Sequence, residues 1–156
     1  MELRKALKQA KIKHLRMRPA LIVESGTPLK EVVQRMQKEK KGSALIQKKG
    51  ALVGIFTERD ALTKIVTESQ ELVSSPIDRF MTPKPKTIRM DDSIATAIQI
   101  MSKGGYRRLP ILKEGGVICG LISTSDIIMY LAEHFPYEVL NLPPDPHQEQ
   151  KSPDGA

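Results

Sequence analysis

Tryptophan is absent from this chain and cysteine occurs once. A single thiol can neither close an intramolecular disulfide nor build a cysteine metal cluster. Cys119, set among apolar neighbours, is therefore expected to be a buried small hydrophobe. Histidine is nearly as scarce: His14, His134 and His147 lie far apart, without the His-x-x-x-His spacing of a metal site. No Walker lysine loop, Gly-x-Gly-x-x-Gly run or nucleophile elbow occurs, so the chain is expected not to be an enzyme. Phe56, Phe80, Tyr106, Tyr130, Phe135 and Tyr137 are the full set of aromatics, and most sit in apolar segments. Such a set argues against a surface that stacks single-stranded bases. The longest apolar stretch, around Gly115 to Ile128, contains Gly, Ser, Thr and the charged Asp126 and is too short to span a bilayer. Met1 to Leu15 is studded with Lys and Arg instead of carrying the apolar core of a signal peptide. The simplest expectation is a soluble, cytoplasmic protein.

What is present is enough for a folded unit. The 156 residues, 40% hydrophobic and 28% charged, suit one domain or two very small ones sharing a core. The net charge of +7 is uneven. Residues 1–50 hold fourteen Lys and Arg against four Glu, a net of +10, so the remainder carries −3. Nucleic acid, an anionic membrane surface or the phosphates of a small ligand would all suit a basic N-terminal third, as would plain solvation.

The chain repeats itself. Thr27 to Met36 lies over Asp92 to Met101, 65 residues on, with Leu29, Val32, Val33 and Met36 matched by Ile94, Ala97, Ile98 and Met101. Both carry an i, i+3, i+4, i+7 apolar stripe and read as amphipathic helices. Thr27 with Pro28 in the first turn is the expected N-cap of one, and Asp92 or Ser93 that of the other. Ser43–Ile46 matches Arg108–Ile111, and Leu52–Asp60 matches Ile118–Asp126, as short strands around the turns Lys48–Gly50 and Lys113–Gly116. Helical runs follow at Ala61 to Ser69 and Ile127 to His134. Each repeat thus reads strand, helix, strand, strand, helix. Leu3, Leu7 and Leu15, with Ala6 and Ala10, suggest a further amphipathic helix that docks on the module or on a dimer partner. The expected boundaries are a basic helix and linker over 1–19, repeats over 20–73 and 86–136 joined by a proline-punctuated connector over 74–85, and a proline-rich tail over 137–156, disordered beyond 142.

The segment that carries chemistry is Gly-apolar-apolar-hydroxyl-x-x-Asp, present as Gly54 to Asp60 and as Gly120 to Asp126. In each, a strand ends and a helix begins. Thr57 with Asp60 and Ser123 with Asp126 have the spacing of capping boxes, which would account for them without any ligand. Their recurrence at equivalent places points further. A helix N-terminus suits a phosphate, and a short carboxylate beside it can accept both hydroxyls of a ribose.

These two motifs, the connector Asp78 to Thr82 and the stretch Tyr106 to Leu112 resemble a tandem pair of CBS (cystathionine-β-synthase) domains, a Bateman module, over roughly residues 20–134. The resemblance implies an α/β (α+β) fold of two pseudo-symmetric βαββα repeats packed through their sheets, and a disc-like homodimer. It also implies clefts for AMP, ADP, ATP or S-adenosylmethionine as a regulatory ligand, with no required cofactor. By position, Asp60 and Asp126 would hold ribose hydroxyls, with Thr57 and Ser123 near ribose and phosphate and Arg59 in the same motif. Thr87 and Ile88 would meet adenine, and Ile22 is their hydroxyl-less counterpart. Arg107 and Arg108, and Lys41 and Ser43 at the matching place, would face phosphates or stay on an exposed surface. The Asp60 cleft, sharing Thr87, is expected to be the better one. The alternative is a ligand-free dimerisation or interaction module with both aspartates as caps. Nucleic-acid binding ranks third, and the regulated protein partner stays unidentified.

Overall fold

The computed structural model describes residues 2–65 and 70–140. The expected tail disorder and the end of the first helical run, at 66–69, lie outside the described residues. The elements are α1 (Glu2–Gln9), β1 (Ile22–Glu24), α2 (Leu29–Glu39), β2 (Ser43–Lys48), β3 (Ala51–Thr57), α3 (Glu58–Asp60), β4 (Thr82–Pro83), β5 (Ile88–Arg89), α4 (Ile94–Gly104), β6 (Arg108–Lys113), β7 (Val117–Ser123), α5 (Thr124–His134) and α6 (Pro136–Val139). The order is the expected strand, helix, strand, strand, helix, twice over, in a mixed α+β fold with two sheets. Contacts group the chain into two compact units. One is Met17–Arg89 with Leu109–Leu121; the other runs up to Arg16 and adds Met90–Arg108 and the residues from Ile122.

In the first of these units, β1 runs parallel to β2, which pairs antiparallel with β3, which pairs antiparallel with β4. The β2–β3 hairpin closes on Lys49 and Gly50, both at positive φ (52° and 80°), the two-residue turn whose twist matches that of the strands. Ala44, Ile46 and Phe56 join Leu29, Val32 and Met36 of α2, together with Ile77 and Phe80, in one core. Each Ile or Phe fully buried there contributes about 1.5–3 kcal/mol relative to exposure. Val33, at the edge of the stripe, is exposed. The second sheet runs β5-β6-β7, with β5 parallel to β6.

Helix α2 starts one residue later than the sequence suggests. Thr27 does not cap it: its hydroxyl donates to the Glu24 carbonyl, while its own carbonyl accepts from Ile77 N–H, and Pro28 takes the cap position. Ser93 does cap α4, accepting from Thr96 N–H. Both helices end on a left-handed residue, Lys40 after α2 and Gly105 after α4. In the other unit, α1 packs on α4, although Leu15 lies beyond α1 in its own buried position. Cys119 is half-buried, not enclosed.

A further repeat emerges that the sequence hides. Ile12–His14 and Ile77–Arg79 are both single 3₁₀ turns, each with a fully buried isoleucine. Ile12 N–H donates to Asp92 C=O and Ile94 N–H to Ala10 C=O; Ile77 N–H donates to Thr27 C=O and Leu29 N–H to Ser75 C=O. Every partner is displaced by 65 residues, as are the bridges Lys11–Ser93 and Pro28–Pro76 when the two sides are exchanged. Residues 10–15 therefore lead into the start of α4 as residues 75–80 lead into the start of α2.

Candidate functional site

Strand β3 delivers Thr57 to the start of α3, where the chain turns from extended to helical backbone. Thr57 Oγ1 accepts from Asp60 N–H at 3.3 Å, and Asp60 Oδ2 accepts from Thr57 N–H at 2.9 Å and from its hydroxyl at 3.1 Å. This is the reciprocal capping box, and Asp60 is only 8% exposed. Its other oxygen, Oδ1, accepts from the Thr82 hydroxyl at 3.1 Å and lies 3.2 Å from Lys64 Nζ. After Asp60 the helix widens into a π turn over Ala61–Ile65, which carries Lys64. The same ammonium donates to the Phe80 carbonyl at 3.0 Å and the Met81 carbonyl at 3.4 Å. A carboxylate so buried needs partners, and here they come from the helix and the connector.

The second motif repeats the box. Ser123 Oγ accepts from Asp126 N–H at 3.3 Å, and Asp126 Oδ2 accepts from Ser123 N–H at 2.8 Å and its hydroxyl at 3.0 Å. The first helical N–H is committed in both: Glu58 N–H to Gly42 C=O, and Thr124 N–H to Arg107 C=O. The motif glycines have a structural reason as well. A Cβ on Gly54 would collide with Met81 Sδ; one on Gly120 would stand 3.4 Å from Met17 Sδ. Met17-Arg18-Pro19 and Met81-Thr82-Pro83 are thus equivalent, and Arg18 bridges to Leu121 as Thr82 pairs with Ile55.

Of the remaining candidates, Ser43 is buried and pairs across the hairpin with Thr57. Lys41 spends its ammonium on the Pro19 carbonyl at 2.8 Å. Arg59 is exposed on α3, Arg107 is exposed just before β6, and Arg108 opens that strand half-buried. Ile22, half-buried, pairs with Leu45; Thr87 is half-buried ahead of β5, where Ile88 is buried against β6 through its pairing with Ile111. Sequence reasoning missed Lys64 and Thr82. The signal for Thr82 was the repeated Met-x-Pro, 64 residues apart; Lys64, at i+4 from Asp60, had the ordinary spacing of a helical ion pair.

The connector holds one more network. Asp78 accepts from the Ser25 hydroxyl and from Gly26 N–H at 2.6 Å. Burial pushes its carboxyl up, but those two bonds, its own N–H and the nearby Lys48 charge outweigh this and hold it below its ordinary value. A hollow of about 270 Å³ lies elsewhere, lined by Leu3, Arg4 and Leu7 of α1 and Ala95 and Ile98 of α4, with none of the candidate residues. Among the described residues no three His, Cys, Asp or Glu side chains gather as metal ligands, and no helix is long and apolar enough to cross a membrane.

Known proteins bear directly on this arrangement. The CBS domain-containing protein CBSCBSPB5 of Arabidopsis thaliana is 34% identical over 108 residues, 69% of this chain and 20% of that protein. The chain thus spans about a fifth of the length of the first curated relatives it matches. The fold is shared with the CBS domain pair of protein MJ0100, solved in complex with 5′-methylthioadenosine and S-adenosyl-L-methionine (TM-score 0.70, 21% identity, covering 80% of this chain and 97% of that one). It is shared as well with CBSX2 in complex with AMP (TM-score 0.69, 19% identity, 80% and 97%). The family model of the CBS domain matches twice, at 12–67 and 77–133, each match opening on the buried isoleucine of a 3₁₀ turn. With two matches that together take in most of its length, the chain belongs to the CBS domain family.

Proposed function

We propose that this chain is a regulatory module that binds an adenosine-containing ligand (AMP, ADP, ATP or S-adenosylmethionine) and acts by binding, not by catalysis. The observation that carries the reading is recurrence. The same hydroxyl–carboxylate pair sits at the start of a helix in both repeats, and two proteins of the same fold were solved with adenosyl ligands. Asp60 and Asp126 take the ribose hydroxyls, Thr57 and Ser123 adjoin ribose and phosphate, and Thr87, Ile88 and Ile22 line adenine. Arg59, Arg107, Arg108, Lys41 and Ser43 are the groups assigned to phosphates; Arg59 and Arg107 are exposed, whereas Lys41 must first give up the Pro19 carbonyl and Ser43 is buried. The module works as a homodimer; Leu62 and Ile128, at corresponding positions of the two repeats, are 69% and 59% exposed.

A second reading rests on the completeness of the caps: a ligand-free dimerisation module needs Asp60 and Asp126 only as they now stand. Thermal unfolding with each of the four ligands separates the two. A ligand at a hundredfold excess over its dissociation constant adds about 2.7 kcal/mol, or roughly 5–11 °C at this size. A shift for one ligand, lost in Asp60→Ala or Asp126→Ala, supports the sensor and names the site. No shift for any of them overturns it and leaves the dimerisation module.

A further inference from the structure

Asp60 has no oxygen to spare. Oδ2 closes the cap, and Oδ1 holds the Thr82 hydroxyl and faces the Lys64 ammonium. The three donors of that ammonium meet three oxygens: Asp60 Oδ1 and the carbonyls of Phe80 and Met81. A ribose diol donates to a carboxylate, so it would need the oxygen these groups hold. We infer that Lys64 is a built-in competitor at the first site, standing where a ligand's hydroxyls would go, so that occupancy of Asp60 by ligand displaces the ammonium from the carboxylate. The inference rests on the proposed adenosyl binding. It assigns the coupling to a named bond: the competing group is the one that ties the π turn after α3 to the connector, so filling the site disturbs that tie. Lys64 is accessible enough to leave, at 39% side-chain exposure, and its departure exposes a charge to water instead of burying one.

The test is calorimetric titration of wild type, Lys64→Met, Thr82→Val and Asp60→Ala with adenosine and with AMP. Adenosine carries no phosphate, so an attraction between Lys64 and phosphate cannot contribute to its binding. Lys64→Met is expected to tighten both ligands by about three- to tenfold, the scale of one partly screened charged contact. Thr82→Val is expected to tighten them less, and Asp60→Ala to abolish binding at this site, with Asp126→Ala reporting any binding at the other. Binding by Lys64→Met with none by wild type would be the same result in stronger form. Wild-type binding with unchanged or weaker affinity in both Lys64→Met and Thr82→Val overturns the inference and leaves the proposed function standing. A loss in Lys64→Met for AMP alone likewise overturns it and makes Lys64 a phosphate contact. Binding of neither ligand by wild type or Lys64→Met overturns the inference, and the proposed function then stands or falls on the unfolding test with all four ligands.

Discussion

Gly54–Asp60 and Gly120–Asp126 share strand, cap and hydrogen-bond pattern, and they part company immediately afterwards. The first continues into a π turn that brings Lys64 back to its aspartate; the second continues as a regular helix in which the corresponding residue is Tyr130, its ring stacked on His134 at 4.2 Å. Capping is the common scaffold, and the groups set around it give each repeat its own character. A π turn adds one residue to the helical circuit and re-aims the side chains beyond it, which is why such turns occur so often at functional sites.

The largest expected break in this comparison comes from the aspartates themselves. Asp60→Ala is expected to cost roughly 2 kcal/mol in urea denaturation and Asp126→Ala about 1, since the first loses its cap and its tie to the connector. Equal costs would mean that Lys64 and Thr82 add nothing beyond what holds Asp126 in the second repeat. Next are the motif glycines: Gly54→Ala should destabilise by about 1–2 kcal/mol because Met81 must move, whereas Gly120→Ala should stay within about 0.5.

A smaller effect distinguishes the two lead-in turns. In one, Asp78 on the turn accepts from the neutral Ser25 and Gly26; in the other an ion pair stands there, with Lys13 on the turn and Asp91 on the loop 2.9 Å away. The Asp78 carboxyl is held below its ordinary value, so its contribution is full above about pH 5 and fades as pH falls through the unfolded value of about 3.9 and then the folded one. Asp78→Asn should therefore lose under about 1 kcal/mol at neutral pH, with the gap to wild type closing in acid. The smallest change runs in the favourable direction. Lys40 holds the left-handed position that Gly105 holds after α4, so Lys40→Gly should raise the denaturation midpoint by the equivalent of about 0.5 kcal/mol.

Much of this frame was legible in the residues. Period and cap chemistry placed both βαββα repeats, and the spacing of Thr-x-x-Asp and Ser-x-x-Asp was enough to name both boxes. The failures were of two physical kinds. Thr27 looked like a cap because residue type favours it there, but the connector claims its carbonyl and the Glu24 carbonyl claims its hydroxyl, so the helix starts after Pro28. The lead-in repeat was invisible because a single 3₁₀ turn has no period to detect. Between residues 10–15 and 75–80 little but the apolar character of Ile12 and Ile77, and of Leu15 and Phe80, is preserved. The Thr82 contact to Asp60 spans twenty-two residues, beyond the reach of any local pattern.

The lead-in turns also set an order in time. During synthesis, Thr27 must wait for Ile77, fifty residues later, before the start of α2 is pinned; Ile12 must wait for Asp92, eighty residues later. The turn made first is thus matched last. The earlier half of the chain can close on its own connector while residues 10–15 still lack their partner, and the later half finds its turn already waiting when α4 emerges.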